Sequence, residues 1–231
     1  MALPKLQQPV YEMTIPTTRK KLKFRPFTVK ERSIMLHALQ DGNNDTMLNA
    51  IDELFKVCTF GKASLKTYPI VDSELLFINI RNKSVGGDLD VVHECACGKE
   101  NLLHLKLDDV AVVGEMVTKD IDLGDGLFVR MKYPTMELSE ILSDEPTEDE
   151  LLSVIAKCID MIIINDDAHK AEDSSEEEMK DWVLGLIQHQ LTKIETFFGS
   201  LPKVVLESAY NCEQCGVENT VKLEGLENFF D

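Results

Sequence analysis

Apolar and polar residues alternate near the start of the chain, which is the two-residue period of a β-strand. Residues 11–15 alternate, a Pro-Thr-Thr turn follows, and Leu22 and Phe24 flank Lys23. Two alternating segments joined by a turn predict a β-hairpin.

A helical period replaces this alternation after Thr28. Thr28 and Glu31 have the spacing of a capping box, in which the hydroxyl and the carboxylate satisfy the first free amides of a helix. This pair predicts a helix to about Leu39. After a polar break, the apolar residues within 47–55 predict a second amphipathic helix.

The middle of the chain predicts one more helix and then strands. Residues 74–81 are predicted to be helical, with Asp72 as the N-cap, because apolar side chains occupy several sides of this segment. Residues 89–134 return to alternation, and Gly124-Asp125-Gly126 has the composition of a hairpin turn.

The last third of the chain is predicted to be helical. Two capping boxes mark helix starts, at Thr147 with Glu150 and at Ser175 with Glu178. Apolar residues from 179 to 198 predict one long helix that ends at Gly199, and this stripe is interpreted as core rather than as a partner groove. The polar, acidic residues 165–178 are predicted to form a mobile surface loop.

These elements predict an α+β fold in four parts. Residues 1–87 form a hairpin plus helices, 88–135 a β-rich region with the first cysteine pair, and 136–200 a C-terminal helical pair. Residues 201–231 carry the second cysteine pair and a strand that packs back on 88–135. The 231 residues are 44% hydrophobic, which is enough to bury a core.

Net charge narrows the function. A charge of −17 opposes broad nucleic-acid binding, which depends on neutralising phosphates. Residues 1–36 carry eight Lys or Arg against two acids, whereas 137–181 carry sixteen acids against three bases. This asymmetry has three interpretations. The charges can steer assembly with a partner of complementary potential, they can attract the two ends of this chain to each other, or they can simply lie on solvated faces of the protein.

Membrane and secretion signals are absent from the sequence. No stretch approaches the ~18 apolar residues of a membrane span, and the first residues lack the apolar core of a signal peptide. We therefore expect a soluble cytoplasmic protein.

Four of the six cysteines form two close pairs that share a pattern. Both Cys95-Ala96-Cys97 and Cys212-Glu213-Gln214-Cys215 continue as Gly-x-Glu-Asn. Two nearby thiolates hold one side of a tetrahedral ion, and two such pairs complete four ligands. The pattern predicts a structural zinc ion on Cys95, Cys97, Cys212 and Cys215 in a split zinc-ribbon arrangement.

Other interpretations of the cysteines stay open. The one-residue spacer between Cys95 and Cys97 is unusual, so His93 or His104 could replace a cysteine. Free reduced thiols and an iron–sulfur or redox site are the alternatives to zinc. A catalytic zinc is disfavoured because four cysteines leave no open coordination position. Cys58 and Cys158 stand alone and are interpreted as buried apolar residues.

Sequence motifs of catalysis are missing. There is no Gly-x-Ser-x-Gly, no phosphate-binding Walker loop and no Gly-x-Gly-x-x-Gly. The paired acids Glu148/Asp149 and Asp166/Asp167 are explained by helix capping and exposure. The sequence predicts no enzyme.

Several segments form an ordered pattern: Leu3-Pro4-Lys5, Pro9-x-Tyr11-Glu12, the segments 23–31 and 80–86, the first cysteine pair, and Lys132-Tyr133-Pro134. This pattern, which covers most of the first 135 residues, resembles the baseplate hub subunit and hub assembly protein family of T-even-like contractile-tailed bacteriophages. The resemblance implies a non-enzymatic protein that binds phage baseplate hub and tail proteins, with no small-molecule substrate. The net charge and the hydropathy pattern above add the expectation of no nucleic acid and no membrane as partners. The resemblance also implies action in the host cytoplasm during assembly, as a retained subunit of the tail baseplate or as a released chaperone.

Phe24, Arg25 and Phe27 are the candidate partner-binding residues, because aromatic side chains and Arg dominate interface hot spots. Alternatively, the two aromatic side chains staple and anchor the helix that follows. The competing functional hypothesis is a zinc-ribbon nucleic-acid-binding or transcription regulatory protein with its basic N-terminal cluster on phosphates. A hydrolase using the cysteine site is a third.

Overall fold

The computed structural model describes residues 6–117, 120–139, 141–142, 146–165 and 167–229. They divide into two compact units: the first is built from the stretches up to residue 65, 71–113 and from 203 onward, and the second from 66–70 and 114–202. Helices and strands occur in both, so the predicted α+β class is confirmed. Leu3-Pro4-Lys5 and Asp166 lie outside the described residues.

The first unit begins with the predicted hairpin. Strands β1 (Tyr11–Thr14) and β2 (Lys21–Phe24) pair antiparallel, with Tyr11 opposite Phe24. Helices α1 (Val29–Asp41), α2 (Asn44–Cys58) and α3 (Ile70–Val85) follow. The predicted capping box starts α1, since the Thr28 amide donates to Glu31 Oε2 at 2.6 Å and the Glu31 amide donates to Thr28 Oγ1 at 3.4 Å.

The predicted start of α3 was wrong. The helix begins at Ile70, so Asp72 lies inside its first turn rather than at its N-cap. Asp72 is buried and accepts hydrogen bonds from the Thr17 amide, at 3.0 Å, and from the Thr17 hydroxyl. This carboxylate therefore ties the β1–β2 turn to α3, a long-range role that local spacing cannot indicate.

Two further hairpins complete the first unit. Strands β3 (Asp88–Glu94) and β4 (Glu100–Lys106) pair antiparallel, and β5 (Ala111–Val113) follows. The last strands, β10 (Lys203–Asn211) and β11 (Glu218–Glu224), form a sheet in the order β11-β10-β5. A cysteine pair lies in the turn of each hairpin.

The second unit is an antiparallel four-stranded sheet with helices. Its strands are β6 (Asp120–Gly124), β7 (Leu127–Met131), β8 (Ile159–Ile164) and β9 (Asp167–Lys170), in that order. Its helices are α4 (Met136–Ser139), α5 (Glu148–Cys158), α6 (Glu176–Leu184) and α7 (Gln188–Gly199). Val129, Met131, Ile159 and Ile194 are fully buried in its core.

Local signals in this unit were predicted well. Both capping boxes form, at Thr147 with Glu150 and at Ser175 with Glu178. The β6–β7 turn has positive φ at Asp125 and Gly126, as a tight hairpin turn requires.

Two predictions for this region were wrong. The single long helix is interrupted after Leu184, because Gly185 ends α6 and α7 begins only at Gln188. The predicted mobile loop contains β9, which pairs with β8. In place of the predicted C-terminal helical pair, the described residues form three longer helices, α5, α6 and α7. None of the described helices is long and apolar enough to span a bilayer.

Candidate metal centre

The first knuckle, residues 95–98, turns β3 into β4. The Cys95 amide donates to the Lys99 carbonyl at 2.9 Å, and the Gly98 amide donates to the Cys95 carbonyl at 2.8 Å. Gly98 has a φ of 82°, in the left-handed region where a side chain is strained. The glycine after the second cysteine is therefore required by the turn.

The second knuckle, residues 212–216, repeats this geometry. The Cys212 amide donates to the Val217 carbonyl and the Gly216 amide donates to the Cys212 carbonyl, both at 2.9 Å. Gly216 has a φ of 71°. The shared sequence pattern thus encodes the same turn twice, despite one extra residue between Cys212 and Cys215.

The two knuckles bring all four sulfurs together. Cys95 Sγ lies 3.7 Å from Cys215 Sγ, and Cys97 Sγ lies 3.7 Å from Cys212 Sγ. All four sulfurs lie within 4.8 Å of one another. A Zn–S bond of about 2.3 Å places the sulfurs of a tetrahedron ~3.8 Å apart. The spacing therefore suits one tetrahedral ion and is longer than a disulfide of about 2.05 Å.

Two asparagine side chains donate to these sulfurs across the centre. Asn101 Nδ2 lies 3.8 Å from Cys212 Sγ, and Asn219 Nδ2 lies 3.5 Å from Cys95 Sγ. Each asparagine ends the Gly-x-Glu-Asn pattern of its own hairpin and reaches the first cysteine of the other. N–H donors toward thiolates stabilise the charged form and orient the sulfurs.

Each asparagine side chain also donates to a backbone carbonyl of its own hairpin, just after the knuckle. Asn101 Nδ2 also donates to the Lys99 carbonyl at 2.9 Å, and Asn219 Nδ2 donates to the Val217 carbonyl at 2.8 Å. In addition, Asn101 Oδ1 accepts from the Glu213 amide at 3.1 Å. Asn101 is therefore the more constrained of the pair.

A histidine and a tyrosine link the two hairpins beside the sulfurs. His93 Nδ1 and the Tyr210 hydroxyl lie 2.6 Å apart, and their rings meet edge to face with centroids separated by 5.6 Å. Each residue precedes the first cysteine of its hairpin by two positions. His93 lies opposite Asn101, and Tyr210 lies opposite Asn219. The residue types differ, but the centre has an approximate twofold arrangement.

The predicted substitute ligands have other partners in this structure. His93 contacts Tyr210, and the exposed His104 pairs through Nδ1 with Asp90 Oδ1 at 2.6 Å. Burial and the nearby thiols raise the pKa of the Tyr210 hydroxyl, so the phenol stays protonated at neutral pH.

The electrostatics of the thiols favour a cation. The backbone amides of Cys215 and Gln214 lower the pKa of Cys212 to about 6, with a contribution from neighbouring sulfurs. The Lys99 amide acts in the same direction on the exposed Cys97, but local desolvation and the three neighbouring sulfurs outweigh it and raise the pKa of Cys97 to about 12. Once one thiol ionises, its negative charge opposes ionisation of the other three. A bound divalent cation would offset this repulsion between thiolates.

The two remaining cysteines are buried apart from this cluster, as predicted. Desolvation raises the pKa values of Cys58 and Cys158 to about 12. Both thiols therefore stay protonated and unreactive at neutral pH.

The candidate interface residues lie mostly inside the first unit. Phe24 is 1% exposed and Phe27 is 8% exposed. The Arg25 guanidinium forms a two-pronged ion pair with Glu31, with distances of 2.6 and 3.1 Å, and also donates to Gln8 Oε1 at 2.9 Å. This burial suits the staple-and-anchor interpretation of the aromatic side chains. Partner binding through Arg25 stays a prediction.

The asparagine and His–Tyr contacts were not predicted. A signal existed, because Asn101 and Asn219 end the same repeated pattern and His93 and Tyr210 occupy equivalent positions before it. Their roles depend on how the two hairpins face each other, which the spacing along one hairpin does not specify.

Comparison with known proteins places this α+β chain and its paired cysteine turns in a family. The chain belongs to the family described as T4 bacteriophage base plate protein, whose profile matches residues 8–231. In particular, it is 27% identical over 232 residues to the baseplate hub assembly protein gp26 of Enterobacteria phage T4, covering 96% of this chain and 98% of the relative. The predicted resemblance is confirmed and extends beyond the first 135 residues. No solved structure matches the chain.

Proposed function

We propose that this chain is a non-enzymatic component or assembly factor of a phage tail baseplate hub, acting through contacts with hub and tail proteins. The similarity to a baseplate hub assembly protein over 96% of this chain carries the proposal. Assembly takes place in the host cytoplasm, and a retained subunit would end in the tail baseplate. The nucleic-acid-binding alternative gains no support, because the net charge is −17.

The proposal includes a structural zinc ion bound by Cys95, Cys97, Cys212 and Cys215. Support comes from the 3.7 Å sulfur pairs, the glycine turns and the amide donors toward the sulfurs. Four protein thiolates close the coordination sphere, which suits a structural rather than a catalytic ion.

The assembly role is tested by purifying the tagged protein from infected cells and by searching finished virions for it. Co-purification with hub and tail proteins is expected. Presence in the virion identifies a subunit, and absence identifies a released factor. Recovery with nucleic acid or polymerase instead would overturn the proposal.

The zinc ion is tested by elemental analysis and thiol titration of the purified native protein. One zinc per chain is expected, and it should be lost in Cys95→Ser but kept in Cys58→Ala, which changes a buried thiol outside the cluster. No bound metal together with four freely accessible thiols would refute the site. Bound iron would favour the cluster alternative.

A further inference from the structure

A groove lies between α5 and α7 in the second unit. Its volume is about 460 Å³. Its lining is mostly aliphatic and aromatic, and Glu148, Gln188 and Glu195 are its polar residues. The groove is open at the surface, and Leu151 is 45% exposed.

The apolar residues of α7 form one stripe that serves both the core and this groove. Ile194 and Phe197 are buried in the core of the unit. Leu191 and Phe198, three residues before and four residues after Ile194, pack against that core and also line the groove. Positions three and four apart share a helical face, so the groove is the partly covered edge of the core-facing stripe.

Helix α5 contributes in the same way. Val154 is buried in the core and Ile155 packs against it, and both also line the groove. Leu151, one turn before Ile155, lines the groove and stays 45% exposed. The apolar walls of the groove are therefore only partly covered within the unit.

Charge specifies the chemistry of the occupant. Glu148 on α5 and Glu195 on α7 place carboxylates along the groove, and none of its described lining residues is basic. The surrounding segment 137–181 has sixteen acids against three bases. An occupant with apolar side chains flanked by Lys or Arg would match both the lining and its edge.

The geometry points to a helix-in-groove contact: we propose that the α5–α7 groove binds a cationic amphipathic helix of a partner protein. The lining on α7 runs from Gln188 to Phe198, about 15 Å along the helix axis. Such a length suits apolar side chains at i, i+3, i+4 and i+7 of a partner helix. This proposal rests on the proposed assembly role in one respect, because that role makes a hub protein the expected source of the partner helix. It does not depend on the zinc ion.

The test measures fluorescence anisotropy of a labelled helical peptide of leucine and lysine, about 18 residues long so that it forms a helix. The full-length protein should bind this peptide and bind a matched leucine–glutamate peptide at least about tenfold more weakly. Binding should fall about tenfold or more in Leu151→Glu and in the double variant Glu148→Gln, Glu195→Gln.

Leu184→Glu is the matched control, because Leu184 is 59% exposed in the same unit and lies outside the groove lining. It should retain wild-type binding. Equal loss in Leu151→Glu and Leu184→Glu, equal binding of both peptides, or no binding would overturn the proposal. Self-association that Leu151→Glu abolishes would also overturn it, by assigning the groove to a second copy.

Purification from infected cells separates this proposal from the broader role. If the wild-type protein and Leu151→Glu recover hub proteins equally, the groove proposal fails and the assembly role stands. If the wild-type protein recovers none, the assembly role fails whatever the peptide does.

Discussion

The core of the second unit and the knuckled hairpins of the first differ in what holds them together. The second unit packs its sheet and helices around fully buried residues such as Val129, Met131 and Ile194. In the first unit, hairpins from residues 88–106 and 203–224 meet at their turns, where the buried side chains are Cys95, Asn101 and Cys212. Apolar burial organises the second unit, whereas a polar centre joins the knuckle ends of the two hairpins. Farther from its knuckle, β10 buries apolar side chains such as Val205 and Leu206.

This difference has an energetic consequence. In β3 the buried side chain is Leu89, and in β4 the buried side chains are Asn101 and Leu105, so the knuckle end of this hairpin lacks buried apolar surface. A two-stranded hairpin alone is marginally stable in water. The knuckle ends therefore depend on the sulfur centre, whereas the second unit does not.

Removal of Cys95 and Cys212, the two buried cysteines of the proposed zinc site, should have the largest effect. Cys95→Ser with Cys212→Ser should abolish metal binding and lower the free energy of unfolding by about 4 kcal/mol, which is the contribution of a ligand present at ~1,000 times its dissociation constant. Hydrogen exchange should accelerate in residues 88–106 and 203–224 and stay unchanged in 150–164.

Chelation of the wild-type protein provides the control for effects of serine itself. It should reproduce the same regional pattern. Equal acceleration of hydrogen exchange in both units, or no acceleration in either, would contradict the proposed difference between the two regions.

Ile194→Ala perturbs the core of the second unit and leaves the cysteine cluster of the first unit intact. Ile194 is fully buried, and truncating such a residue leaves a cavity that costs about 3 kcal/mol. Exchange should rise in the second unit while metal content stays at the wild-type level. The milder Ile194→Val should cost about 1 kcal/mol with the same regional pattern. Metal loss in either variant would show that the two regions are not energetically distinct.

Local signals explain which elements were predictable. The β1–β2 hairpin and the capping boxes at Thr28, Thr147 and Ser175 depend on residues within a few positions of each other. Asp72 was assigned incorrectly because its partner, Thr17, lies far along the chain. Strand β9 was missed because its side chains are all exposed and, apart from Ala168, polar, so pairing with β8 leaves no apolar alternation.

The cysteine cluster was partly predictable for the same reason. The repeated Cys-Gly-x-Glu-Asn pattern is local, and it predicted which four cysteines come together. The donors Asn101 and Asn219 act across the two hairpins, so their contacts need the relative placement of segments more than 100 residues apart in sequence. The repeat identified the four cysteines but not the side chains that donate to their sulfurs.

Arg25→Ala probes a polar contact of the first unit that is separate from the sulfurs. Hydrogen bonds from the Arg25 guanidinium are the main cause that lowers the pKa of Glu31 to about 2, below its ordinary value near 4.5. A depressed carboxylate pKa stabilises the fold above the unfolded-state pKa, and this stability is lost as pH falls toward the folded-state pKa. The variant should therefore lose about 2 kcal/mol at pH 7.

The loss of unfolding free energy in Arg25→Ala relative to the wild type should shrink as pH falls from 4.5 to 2, measured by denaturant unfolding at each pH. A smaller, pH-independent loss should remain, because Arg25 also donates to Gln8 Oε1 and to the Pro26 carbonyl. A loss of the same size at every pH would contradict the ion-pair assignment. Lost recovery of hub proteins with an unchanged melting temperature would instead support Arg25 as a partner-binding residue.

The smallest effects test the twofold arrangement of the centre. Asn101→Ala and Asn219→Ala each remove an N–H donor to a sulfur of the opposite hairpin, and loss of such an outer contact weakens metal binding by about tenfold or more. Tenfold corresponds to about 1.4 kcal/mol. Asn101→Ala should have the larger effect, because Asn101 is 2% exposed and also accepts from the Glu213 amide.

The measurement is the rate of zinc transfer to a chromogenic chelator, with Asn211→Ala as the control because Asn211 is exposed and directly precedes Cys212. Asn211→Ala should release metal at the wild-type rate. If Asn101→Ala accelerates release and Asn219→Ala does not, only one knuckle is oriented from across the centre, and the two hairpins are not functionally equivalent. If both accelerate release, each hairpin orients the ligands of the other, so neither knuckle is complete alone and the metal couples two distant segments of the chain.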